Sequence, residues 1–116
     1  MATFDSVEDY LTSIPQPGQD TLRDLIAHLL SLNPAFEVKL AWNVPQIHQG
    51  KNYIFGMSAA KKHLTLAPWG SRALETVRPQ MTDYVVNKAT FQVPLDWRID
   101  TALVDAMVAI RLSEID

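Results

Sequence analysis

The chain has 116 residues, 47% of them apolar and 20% charged, with a net charge of −3 from 13 acidic and 10 basic residues. That size suits one domain, residues 1–116, and that composition suits a globular fold rather than a disordered one. The absence of cysteine excludes disulfides, thiolate metal sites and a cysteine nucleophile.

The first element is a short helix around "FDSVEDYL", where Asp5 or Ser6 can accept from the first unpaired backbone N–H groups. Pro15 and Pro17 end it in a turn. A longer helix is predicted over residues 18–32. Its Leu22, Leu25, Ile26, Leu29 and Leu30 recur at i, i+3, i+4, i+7 and i+8 and form one apolar stripe. Asn33, in a left-handed conformation, and Pro34 close it. His28 falls on its polar side.

From Phe36 the period changes to two. Val38, Leu40 and Trp42 are expected on one face of a strand, with Lys39 and Ala41 on the other. Pro45 breaks or edges the next short strand, residues 46–49. Turns at Gly50-Lys51-Asn52 and Ala60-Lys61-Lys62 lead into strands at residues 53–57 and 63–67. Leu64 and Leu66 oppose His63 and Thr65. Ser71 is placed to cap a short helix through Val77, stopped by Pro79. Residues 90–95 read as a last strand, with Pro94 marking an edge. Asp100 then caps a final helix through Ser113, with Ile99, Leu103, Ala106, Met107 and Ile110 as its buried stripe. Val104, Val108 and Leu112 leave a second apolar face, a candidate contact for another helix or another subunit.

Helix, helix, strands, helix, strand, helix is the order of an α+β fold. A two-layer sandwich is expected, with an antiparallel sheet of about five strands and the N-terminal, middle and C-terminal helices packed on one face. No apolar run is long enough for a membrane span. The acidic, polar opening "MATFDSVEDYL" lacks a secretory pattern, so a cytoplasmic setting is expected. The basic residues are scattered and only Lys61-Lys62 are adjacent, which argues against a nucleic-acid partner.

Four segments in this order and spacing resemble the YdhG-like family of small bacterial proteins: "YLTSIPQP", "LAWNVPQI", "KKHLTLAPWG" and "KATFQVPLDWRID". The resemblance spans nearly the whole chain and implies a two-layer α/β sandwich with an antiparallel sheet. One branch of that family is described as a frataxin-like intracellular iron chaperone, so iron enters by resemblance alone. The chain departs from the family at Val44, where Met is frequent, and at Ala89, where Gly is frequent.

Trp42, Pro45 and Tyr53 fall where the family keeps similar residues. Two readings stand. They wall a ligand pocket at the end of the sheet, or Trp42 packs under the helices while Pro45 guards an edge. His48 and His63, on adjoining strand segments, are candidate metal or anion contacts. Trp69 joins the candidate binding residues, and Lys88 is a candidate anion contact. Asp5, Glu8 and Asp9 are the candidate metal ligands, since hard cations take oxygen donors. The same carboxylates also suit a helix N-terminus with no metal at all. Asp20 and Asp24 lie one turn apart on the next helix. No nucleophile elbow, phosphate loop or zinc-helix motif occurs, so no enzyme is expected. The expectation is a small binding protein for a ligand or metal ion. The alternative is an interaction module acting as a homodimer or with a partner.

Overall fold

The computed structural model describes residues 3–70 and 72–115. Ser71, the expected cap of the middle helix, and Asp116 lie outside the described residues. The order is α1 (Val7–Thr12), α2 (Gly18–Ser31), β1 (Glu37–Ala41), β2 (Val44–Gln49), β3 (Asn52–Ala59) and β4 (His63–Pro68). Then follow α3 (Ala73–Val77), β5 (Val85–Val86), β6 (Phe91–Pro94) and α4 (Thr101–Glu114). The fold is α+β, with a six-stranded antiparallel sheet in the order β1-β2-β3-β4-β6-β5. No described helix is long and apolar enough to cross a membrane.

The helices start where side chains supply the missing acceptors. Ser6 Oγ accepts from Asp9 N at 3.0 Å, and Asp100 accepts from Leu103 N at 3.1 Å. Each such cap is worth about 1 kcal/mol. Asn33 closes α2 differently from expectation. It does not turn left-handed; its side chain accepts from Ala35 N at 2.8 Å, an Asx turn.

Alternation along the strands gives the sheet two unlike faces. Ile47, Phe55, Leu64, Leu66 and Phe91 are fully buried against the helices, together with Leu22, Leu25 and Leu29 of α2. Burying each such side chain contributes roughly 1.5–3 kcal/mol. The buried side of α4 is rotated from the predicted stripe. Val104 and Val108 are buried with Leu103 and Met107, whereas Ala106 is exposed. The reason is α3, which packs on α4, so this helix is covered from both the sheet and its neighbour. Of the apolar second face, Val104 and Val108 belong to the core and Leu112 is partly buried against it, so a neighbouring helix accounts for that face.

Three strand details differ from the sequence reading. Pro45 lies inside β2, opposite Leu40, and the ladder to β3 begins one residue later at Gln46 and Gly56. Pro94 does not mark an edge: β6 lies between β4 and β5. Because β5 pairs only with Phe91 and Gln92, the ladder leaves the proline unpaired on that side. The two-residue β5 was missed because Val85-Val86 is too short for an alternating pattern.

Candidate functional site

Among the described residues, the other face of the sheet carries no helix. Register places Lys39, Gln46 and Gly56 in one row across it, with Ala67 beyond. Three aromatic rings lie on this open face. Two local distortions bring them there.

The first is the β1–β2 turn. Ala41 pairs directly with Val44, so Trp42 and Asn43 alone make the turn, with φ of 54° and 64°. Both central residues are left-handed, as a type I′ hairpin turn requires. Asparagine tolerates that region; for a tryptophan it costs roughly 1–2 kcal/mol. Trp42 therefore leaves the Val38–Leu40 face predicted for it. It does not pack under the helices, and it remains 68% exposed.

The second is a bulge in β3. Ile47 pairs with Phe55 but His48 pairs with Tyr53, which leaves Ile54 as an extra residue. Ile54 and Phe55 are both buried, and Tyr53 swings to the open face. There Tyr53 stacks on Trp69, centroids 5.1 Å apart with the planes 28° from parallel. Trp42 meets both rings, at 5.1 Å from Tyr53 and 5.5 Å from Trp69. Each such contact is worth roughly 0.5–1.5 kcal/mol.

Gln46 and Gly56 form the bed beneath. The Gln46 side chain is buried, and its amide oxygen accepts from the Trp69 indole N–H at 2.9 Å. A side chain at Gly56 would collide with Gln46, whose Cδ would stand 2.9 Å from the new Cβ. Lys39 holds its ammonium 5.3 Å from the centre of the Tyr53 ring, a cation–π contact. Arg111 of α4 donates from Nε to the Tyr53 carbonyl at 2.8 Å and anchors the strand from behind.

Beyond Trp69 the surface dips. Trp69, Ala67, Pro68, Gly70, Ala89 and Thr90 line a hollow of about 190 Å³. It shares Pro68, Gly70 and Ala89 with a larger one of about 410 Å³ that reaches Leu74, Glu75, Arg78 and Lys88. Gly70 has φ +93° and packs on the Glu114 carboxylate, so no other residue fits there without strain. Arg78 is engaged: it donates to Glu75 at 2.7 Å and to the Asn87 carbonyl at 3.0 Å. Among the described residues Lys88 has no ion pair, so its charge is available at the rim.

The structure thus brings Trp42, Tyr53 and Trp69 together, and connects Trp69 with Lys88 through adjoining hollows. It does not bring Pro45 to them, because Pro45 is buried on the helix side. The rings lie across the sheet face rather than at its end. His48 and His63 both occupy open-face positions, but β3 separates their strands. His48 pairs at the start of β3 and His63 lies past its end, roughly 20 Å apart along the strand at about 3.3 Å per residue. They do not form one site. His48 Nδ1 lies 3.0 Å from the Gly50 carbonyl. His28, on the polar side of α2, is partly buried and meets Asp105 of α4 at 2.7 Å.

Asp5, Glu8 and Asp9 do not converge as donors. Arg23 of α2 grips Glu8 through two hydrogen bonds of 2.8 and 2.7 Å. That bond holds the Glu8 carboxyl below its ordinary pKa. Among the described residues no group of three His, Asp or Glu stands close enough to hold a metal ion. Asp20 and Asp24 line a separate hollow with Asp96 and Arg98. Sequence reasoning missed Gln46 and Gly56. The signal for the turn was present in Asn43, a residue at home in left-handed backbone, placed between two alternating runs.

No family model matches the chain, and no curated protein matches it. Among solved structures it is similar to a crystal structure of a protein from the DUF1801 family, ydhg, from Bacillus subtilis. The TM-score is 0.84 at 21% identity, covering 95% of this chain and 90% of that one. The chain therefore has the fold of a DUF1801-family YdhG protein, as the resemblance of its four segments implies.

Proposed function

We propose that the chain is a small cytoplasmic binding protein that holds its ligand on the Trp42–Tyr53–Trp69 platform. The ligand has a flat or apolar part, which rests on the rings, and an anionic group, which reaches Lys88 across the adjoining hollow. The observation that carries this reading is Trp42: a large aromatic residue in a left-handed turn, 68% exposed. A tryptophan is a poor choice for that turn on stability grounds, and an exposed one forgoes most of its burial energy. Aromatic rings with few rotatable bonds are efficient contact surfaces for a ligand. For iron, resemblance is the only support.

The three tryptophans provide a test with its own control. Trp42 and Trp69 belong to the platform. Trp97 lies elsewhere, its indole N–H 3.3 Å from the Tyr84 hydroxyl. Titration with 1-naphthoate as probe, followed by the indole N–H resonances, is expected to move Trp42 and Trp69 and leave Trp97 in place. Lys88→Glu is expected to weaken that response several-fold. Equal movement of all three signals, or none, contradicts the reading.

A further inference from the structure

The sheet has two edges. One is β5, only two residues long; the other is β1, five residues with no strand outside it among the described residues. The two-residue turn decides which backbone groups of β1 face outward. Ala41 and Val44 flank the turn and bond to each other, and antiparallel bonding then alternates. The N–H and C=O of Lys39 and Glu37 thus point to β2, while those of Val38 and Leu40 point away from the sheet.

Charges on an edge strand ordinarily discourage pairing. On β1 they alternate in sign on one face: Glu37 and Lys39 are both exposed on the open side, flanking Val38. On the helix side Val38 and Leu40 are only partly buried. We propose that β1 is a docking edge for a second copy of this chain, paired antiparallel about a twofold axis at Val38. In that register Val38 lies opposite the partner's Val38, with both sets of outward backbone groups in bonding position. Glu37 lies opposite the partner's Lys39, and Lys39 opposite the partner's Glu37, giving two ion pairs on the open side once each exposed Lys39 side chain swings outward from the Tyr53 ring it overlies. Leu40 lies opposite the partner's Phe36 on the apolar side. Centring the axis on Glu37 or on Lys39 would set like charges against each other, which is destabilising. The sequence of β1 thus selects its own copy in one register and disfavours the neighbouring ones. A five-residue edge buries little area, so the association is weak and reversible.

Sedimentation velocity of the full chain over rising concentration tests this. A concentration-dependent dimer is expected. Glu37→Lys and Lys39→Glu should each weaken it about tenfold, because two attractive pairs become repulsive. An equimolar mixture of the two single variants should associate again, since each supplies the sign the other has lost. The double variant Glu37→Lys with Lys39→Glu should also recover. Both positions are exposed, and circular dichroism verifies that the variants fold. Amide exchange at Val38 and Leu40 should slow as concentration rises. A monomer at every concentration, or a dimer indifferent to the charge changes and to the mixture, overturns the proposal.

Discussion

The two faces of the one sheet are built by different rules. On the helix side, strand alternation alone delivers Ile47, Phe55, Leu64, Leu66 and Phe91 to the core, and regular helices cover them. On the open side, alternation would give a plain polar surface. A left-handed turn and a bulge instead redirect Trp42 and Tyr53 there, and Trp69 folds back over Gly56 to reach Gln46. Regular structure produces stability; the departures from it produce the exposed aromatic surface proposed to bind a ligand. Backbone outliers and bulges concentrate at functional positions for this reason.

This contrast can be broken at several points. Phe55→Ala removes a fully buried ring from the helix side and should cost about 3–5 kcal/mol in urea unfolding. Gly56→Val attacks the open side from below. It displaces Gln46, breaks the bond to Trp69 and should cost about 1–3 kcal/mol, with loss of the near-ultraviolet aromatic dichroism.

Alkaline pH probes the helix side. Burial raises the Tyr10 phenol above its ordinary pKa, while its hydroxyl oxygen accepts from Ala59 N at 2.9 Å. A raised folded-state value means the stabilisation is complete below the ordinary value, about 10, and is lost as pH climbs through the folded one. Tyr10→Phe should flatten that alkaline slope. Trp42→Gly should do the least to the fold. Relief of the left-handed strain offsets the lost ring contacts, so unfolding free energy should change by less than about 1 kcal/mol.

Most of the core was readable from periodicity, because Leu22, Leu25 and Leu29 or Leu64 and Leu66 each repeat in the spacing of their element. The α4 stripe was misread because α3, five sequence-distant residues, covers its second side. The candidate site was readable in residue type and not in direction. Trp42, Tyr53 and Trp69 stand out as aromatic residues beside turns. Yet a period of two, carried through Trp42, assigns it to the wrong face, since one left-handed turn reverses it. A bulge cannot be seen in "YIFG" without its partner strand. Gln46 acquires meaning only through Gly56, opposite it in the next strand.

The most direct measurement is native mass spectrometry of the protein purified from its own host, wild type beside Trp42→Gly, with unfolding free energy measured on both. The account predicts equal stability, an added ligand mass on the wild type and its loss from the variant. Equal ligand occupancy in the two, or a stability loss in Trp42→Gly as large as a core deletion, would contradict it.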